Sequence, residues 1–213
     1  MLSVLVTNSK GGCGKTTIAV NLAGAFANTG LKTALADCDR QKSSFGWASR
    51  RPPSAAAVSA VDWTKTISPP PKKTQRLVID APAALRRKRL LELVRMADIV
   101  VLPVLPSVFD ENTTRRFLEM LDKLKPIRKN KRAVAIVGNR LRTRTKAAEH
   151  LDRFLNGVGH RVVTRLRDTQ FYPAVAVGGL SLFDLRTQRA ENFIQDWRPL
   201  LAFVDESISE LGC

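Results

Sequence analysis

Cysteine is scarce in this chain: Cys13, Cys38 and Cys213 are its only three in 213 residues. They are too few and too scattered for a disulfide framework or a zinc site, and Cys13 and Cys38 read as small buried side chains. Histidine is scarcer still. His150 and His160 stand ten apart with no cysteine or paired carboxylate nearby, and both read as surface or turn residues. Aromatic residues make up 6% of the chain, with a single tyrosine, which leaves little to stack on the bases of a single strand. No apolar run reaches membrane-spanning length and no internal repeat recurs. Met1 leads straight into an apolar run, so no N-terminal signal is expected and the cytoplasm is the expected compartment.

Acidic residues are also in deficit, 19 Asp and Glu against 35 Lys and Arg, for a net charge of +16. The excess is uneven, because the stretch from Lys123 to Arg167 holds fourteen basic and two acidic residues. A surface of that kind neutralises phosphates without reading bases. It predicts binding to double-stranded DNA that ignores sequence and weakens steeply with salt; a merely solvated basic face is the plain alternative. The candidate phosphate contacts are the exposed-looking basic residues of the C-terminal half, Lys146, Arg165, Arg167, Arg186 and Arg189.

With 44% hydrophobic residues, a chain of this length can bury one sizeable core. Apolar runs predict strands near 2–7, 33–37, 76–80, 99–104, 133–138 and 160–165, with helical patterns such as Ile18 to Phe26 and Asp110 to Leu124 between most of them. Such alternation implies an α/β fold: one domain over 1–213, a mostly parallel twisted sheet with helices on both faces. The proline-rich stretch 51–73 breaks the rhythm and reads as a surface excursion with a short strand near Val58 to Val61. A helix over 199–211 closes the chain.

The most specific signal follows the first apolar run. Ser9-Lys10-Gly11-Gly12-Cys13-Gly14-Lys15-Thr16-Thr17 lies between a predicted strand and a predicted helix, the order of a P-loop. Glycines let successive N–H groups face one concavity, and the helix N-terminus adds partial positive charge. Lys15 then reaches the outer phosphates and the Thr16 hydroxyl ligates Mg²⁺, so the cofactor implied is a nucleoside triphosphate with its magnesium. Ser9 stands where the usual pattern has glycine, and a second lysine, Lys10, precedes the glycines.

This Lys-Gly-Gly-x-Gly-Lys-Thr-Thr form resembles the deviant Walker A loop of the ParA/MinD family. The resemblance continues through Asp37-Cys38-Asp39-Arg40-Gln41, similar to the family's Asp-x-Asp-Pro-Gln with Arg40 in place of proline, and through Leu77-Val78-Ile79-Asp80, laid out as a Walker B strand. It extends to Pro103-Val104-Leu105-Pro106-Ser107 and to the strand ending in Asn139-Arg140, and loosens beyond Arg161. It implies an ATP hydrolase, slow without a partner, that closes as a homodimer around two ATP molecules. Lys10 would cross to the partner subunit's phosphates, and Asp39 would position the attacking water. Gly11, Gly12, Cys13, Gly14, Lys15, Thr16 and Thr17 would cradle the phosphates, Thr16, Asp39 and Asp80 would serve Mg²⁺ (the carboxylates through water), and Asn139 would read the adenine edge. Ala83, where a proline is common, leaves the geometry after Asp80 open. The absence of paired cysteines sets the chain apart from the iron–sulfur carriers that share the loop.

For function, the resemblance implies a nucleoid-associated ATPase that binds DNA non-specifically and positions or segregates a cargo with a ParB-like or other adaptor. The cargo could be a plasmid, a chromosome region or a protein compartment such as a carboxysome. The sequence begins at its first strand, so the added DNA-reading domain of longer plasmid ParA proteins is not expected. The rival is a MinD-like ATPase that regulates proteins at a membrane. Those end in a basic amphipathic helix, whereas acids dominate the polar side of 199–211, so no membrane partner is expected. A nucleotide-set binding module and a small-molecule kinase complete the alternatives; Lys10 and the basic surface count against the kinase.

Overall fold

The computed structural model describes residues 1–83, 85–129, 131–142 and 145–211, with 108–110 and 208–211 described by backbone alone. Cys213 lies outside the described residues. Seven strands, β1 (Leu2–Val6), β2 (Thr33–Asp37), β3 (Val58–Asp62), β4 (Arg76–Asp80), β5 (Ile99–Val104), β6 (Ala133–Leu141) and β7 (Arg161–Arg167), form one sheet in the order β3-β2-β4-β1-β5-β6-β7. Every pairing is parallel. Parallel neighbours need crossovers, and most are helices: α1 (Lys15–Asn28), α2 (Ser43–Ser49), α3 (Arg87–Met96), α4 (Val108–Asp122) with the short α5 (Lys125–Arg128), and α6 (Lys146–Asn156). After β7 come α7 (Phe171–Ala176), a 3₁₀ turn Leu182–Asp184, α8 (Gln188–Ile194), a second 3₁₀ turn Gln195–Trp197 and α9 (Arg198–Leu211).

Strand alternation sorts the apolar side chains into two cores. Leu5, Leu77, Ile79, Val100, Leu102 and Ile136 meet Leu90 and Leu93 of α3, Phe117 and Leu121 of α4, and Leu151 and Leu155 of α6. Val4, Val6, Val78, Val101 and Val137 meet Ile18, Leu22 and Phe26 of α1, Trp47 of α2, and Leu200 and Val204 of α9. Strands covered on both faces are mostly apolar, and β1, β2 and β5 are buried at every position, Ser3, Thr33 and Asp37 included.

The proline-rich stretch is more tightly integrated than a surface excursion. Its strand is the sheet edge beside β2, Trp63 behind it is fully buried, and the side chain of Arg51 ahead of it is buried as well. The Arg51 guanidinium donates two bonds to the Asp184 carboxylate at 2.8 and 3.0 Å, others to the carbonyls of Ala56 and Gly179, and lies 4.8 Å over the Trp47 ring. Asp184 also accepts from Asn28 of α1 and from Ser181. Burial alone would raise the Asp184 pKa, and the bonds from Arg51, Ser181 and Asn28 outweigh it and hold it low. Gly179, at φ +70°, lets the backbone pass so close to Arg50 and Arg51 that a Cβ would lie 2.6 Å from their main chain.

Removing one partner of a buried, hydrogen-bonded ion pair leaves the other uncompensated. Arg51→Ala is therefore expected to cost about 3–5 kcal/mol in denaturant melts. A carboxyl held low contributes fully above its unfolded pKa and loses that contribution as pH falls through the folded value. The Arg51→Ala penalty should accordingly shrink in acid, and an equal loss at pH 7 and pH 3 would exclude this ion pair as its source.

Candidate functional site

The strand order places β1 between β4 and β5, so the chain leaves β1 at the point where successive crossovers diverge to opposite sides. In a parallel sheet that is where a crevice opens beyond the carboxyl ends of the strands. Residues 7–14 fill it. Asn8 anchors the loop by donating to the Pro103 carbonyl at 2.7 Å and accepting from the Lys10 N–H at 3.1 Å. Gly14, at φ +92°, caps α1, and a Cβ there would lie 2.2 Å from Asn139 Nδ2. Only glycine fits that approach. The Lys15 Nζ sits 2.8 Å from the Lys10 carbonyl, curled within the loop, while Lys10 itself is exposed.

Beneath the loop stand two buried carboxylates at the ends of adjacent strands, paired in register: Asp37 of β2 and Asp80 of β4. Asp37 accepts from the Asp39 N–H at 2.8 Å and the Phe45 N–H at 2.9 Å, which fixes the turn bearing Asp39 and the start of α2. Asp39 is partly exposed at the cleft wall. Asp80 is 1% exposed and neither of its oxygens has a well-formed hydrogen bond, although the Thr16 and Ser44 hydroxyls lie close enough to favour its charged form. Burial pushes its pKa up to about 7. The Ser44 hydroxyl is buried without a partner too.

Oxygen groups left unsatisfied at full burial cost free energy unless something else meets them. A hard divalent cation with its water suits this donor set of Thr16, Asp80 and the nearby Ser44, so the residues fit magnesium. They fit a triphosphate as well. A cleft of about 310 Å³ is lined by Gly11, Gly12, Gly14, Lys15, Thr16, Thr17 and Asp39. A second hollow of about 150 Å³ shares Thr17 and Arg140 with it and is walled by Asn139, Gln170, Tyr172 and Pro173, room for a flat base beside the phosphates.

Other sequence-predicted residues divide. The Asn139 amide donates to the Cys13 carbonyl at 2.8 Å and accepts from the Arg140 N–H, which braces the loop at the margin of the smaller hollow. β6 runs past its predicted end, with irregular register against β7 and Arg140 at φ +54°. Cys13 and Cys38 are both buried, and burial raises the Cys38 pKa to about 12. Of the candidate DNA contacts, Lys146, Arg186 and Arg189 are exposed. Arg165 is paired with Asp152, and Arg167 with Asp196 at 2.7 Å while lying over the Phe193 ring. Arg189 lies over Phe171, whose ring centroid is 5.9 Å from that of Phe193, so Arg167 and Arg189 flank one aromatic pair.

Sequence reasoning gave no role to Asp37, Ser44, Arg140 or the Gln170–Pro173 wall. Asp37 and Arg140 sat inside recognised motifs and could have been found there; Ser44 carried no pattern at all. No helix among the described residues is long and apolar enough to cross a membrane.

An acid whose folded pKa is raised binds a proton in the folded state that the unfolded chain has released. Stability from this source is therefore present in acid and is lost as pH rises from about 4 to about 7. Without ligand, Asp80→Asn should melt several degrees above wild type at pH 8 and show little of that gain at pH 4, since each kcal/mol moves Tm by about 2–4 °C at this size. Parallel pH profiles for the two proteins would place the Asp80 titration elsewhere.

Comparison with known proteins gives the same reading of the fold. Maintenance of carboxysome distribution protein A from Halothiobacillus neapolitanus is 27% identical over 190 residues, covering 86% of this chain and 87% of that protein. The MinD cell division protein of Aquifex aeolicus superposes with a TM-score of 0.72 at 18% identity, over 95% of this chain and 97% of that one. An ATP complex of McdA from Cyanothece superposes with a TM-score of 0.73 at 16% identity, over 98% and 96%. Residues 4–172, which span the P-loop, both buried aspartates and the hollow at Tyr172, match the CobQ/CobB/MinD/ParA nucleotide binding domain, and the chain belongs to that family.

Proposed function

We propose that this protein is an ATPase that closes as a dimer over ATP, binds duplex DNA in that state without regard to sequence, and uses the cycle to position a cargo. The observation that carries the reading is the cleft itself, where a glycine loop with two lysines overlies a buried, unsatisfied carboxylate at the switch point of a parallel sheet. Likeness over most of its length to a carboxysome distribution protein favours a protein compartment as cargo over a plasmid or chromosome region. In α9, Leu200, Phe203 and Val204 are buried in the core, so that helix is committed to the fold and does not supply a free amphipathic face of the MinD-like kind.

The loop amides of residues 11–17 and the Lys15 ammonium would hold the phosphates, and Thr16 with Asp80 would hold Mg²⁺. When bound, the metal supplies charge neutralisation across the outer phosphates. Asp39, fixed by Asp37, orients water for in-line attack. Lys10, exposed on the rim, completes the partner subunit's site. Loss of the γ-phosphate removes what Lys10 grips, and the dimer and its joined DNA surface come apart. A ParB-like or other adaptor that stimulates this step would link turnover to cargo. The hollow walled by Asn139, Tyr172 and Pro173 takes the base.

Lys15→Ala should abolish ATP binding in a fluorescent-nucleotide titration, and normal affinity would remove the loop from the site. Asp39→Ala should bind ATP but hydrolyse it at least tenfold more slowly, persisting as a dimer on DNA; wild-type turnover would take Asp39 out of the mechanism. Charge reversal at Arg186 and Arg189 should weaken ATP-dependent retention on random-sequence duplex by at least tenfold with dimerisation intact. Unchanged retention would move that contact elsewhere on the surface.

A further inference from the structure

The stretch from Lys123 to Arg167 that dominates the charge is not one surface. β6 runs through it and separates its two parts by nine residues, about 26 Å at strand rise. Arg140, Arg142 and Lys146 emerge at the carboxyl edge of the sheet, with the nucleotide cleft. Lys123, Lys125, Arg128, Lys129, Lys131 and Arg132 lie at the opposite edge, where α4 ends and β6 begins. His160, in the turn before β7, fixes this placement by bonding Asp122 at the end of α4 at 2.9 Å.

Basic residues at such an edge have an ordinary explanation, because helix carbonyl ends attract cations. Arg132 fits it, donating to the carbonyls of Arg95 and Lys131. Lys125, Arg128 and Lys129 close the single turn of α5, too short a helix for its carbonyl end to account for all of them, and Lys131 lies beyond it. All four are exposed, and among the described residues none of their side chains makes an ion pair or hydrogen bond. Of the acids at this edge, Asp122 bonds His160, Asp98 accepts from the N–H and hydroxyl of Ser3, and Glu206 pairs with Arg161, while Asp205 lies beside Thr29 and Leu31 on the flank of α9. The same edge carries exposed Lys32 before β2 and Lys73 before β4. From β2 to β6 is four strand spacings, about 19 Å. A duplex presents about eleven phosphate charges along that length.

We infer that this basic pole at the amino ends of the strands is a second surface for duplex DNA, one that works without nucleotide. It stands about three Debye lengths from the cleft at physiological salt, so the charge of bound nucleotide does not reach it. Among the described residues the pole exposes no aromatic ring for stacking on single strands, since Phe26 and Phe203 there are buried, and its exposed large apolar side chain is Met1, too little to enter a lipid interface. A consequence rests on the dimer of the proposed function. Two copies closed through their carboxyl edges turn their poles outward, so the ATP dimer can hold one duplex at each end and bridge them.

The test compares wild type with K125E/R128E/K129E/K131E, and with the same four residues changed to Gln, after equal melting temperatures and ATP affinities have been verified. Nucleotide-free wild type is expected to bind a random-sequence duplex weakly and salt-sensitively. The Glu variant should lose at least tenfold in that affinity, and the Gln variant should show a log–log salt slope shallower by about 3–4. In ATP, the Glu variant should remain on bead-bound duplex through the other edge and fail to capture a second, labelled duplex. Unchanged nucleotide-free affinity together with unchanged bridging overturns the inference, as does flotation of the wild type with phosphatidylglycerol vesicles but no binding to duplex. If wild type shows no ATP-dependent retention while the variants still lose nucleotide-free binding, the pole stands and the ATP-gated reading falls.

Discussion

Asp80 sets the terms for everything around it. A carboxyl at 1% exposure with no well-formed hydrogen bond is disfavoured when charged, and burial holds its pKa near 7. The fold tolerates this because the cost falls at the end of a strand, under a loop that brings Thr16 and Lys15 to the same place. Asp37, its register neighbour on β2, is as deeply buried yet fully used, accepting two backbone N–H bonds. One carboxylate therefore builds the site and the other is left for what the site holds. The difference between them is made by α2, whose first turn donates to Asp37 and leaves Asp80 and Ser44 facing each other.

That arrangement demands a fixed α2, and α2 is held from two directions. Asp37 holds its amino end. Its far end is held by Arg51, which crosses Trp47 and reaches Asp184 in the C-terminal part of the chain, while Trp47 Nε1 donates to the Leu180 carbonyl at 3.0 Å. Asn21 of α1 accepts from the Leu182 N–H, so the same C-terminal turn is pinned to the helix that begins with Lys15. The turn bearing Asp39 and the phosphate loop are thus referred to one common support, remote from the cleft. A shift of α2 alone would break the buried Arg51 pair.

Most of the strands were legible because a parallel sheet covered on both faces demands continuous apolar runs, and these stand out against the polar connections. The glycine loop ahead of α1 was legible for a related reason: glycines at close approaches admit no substitute, as the 2.2 Å clearance above Gly14 shows. What stayed hidden depends on partners far away in sequence. Nothing local marks Arg51 as buried, since its acid lies 133 residues on. Ser44 is one serine in a polar turn until β4 is placed beside it. Arg165 and Arg167 read as exposed charge from composition, yet each had an acid waiting on a neighbouring helix or turn. β6 outran its predicted end because the break in its register with β7 is a tertiary feature, and the extension carries Arg140 to the cleft.

Charge counting along the chain fails in a parallel sheet for a geometric reason. Each strand carries the chain from one edge to the other, so a basic run that spans a strand is divided between poles about 26 Å apart. At physiological salt such poles act independently. In the proposed cycle the edge that carries the cleft couples its charges to ATP, because Arg140 lines the cleft and a second subunit would adjoin it. The other edge has no such route: its exposed lysines and Arg128 lie beyond the core, on residues that neither contact the cleft nor share hydrogen bonds with it. A protein built this way can change its grip at one end while keeping a constant affinity at the other, which is what persistence near a polyanion through repeated release requires.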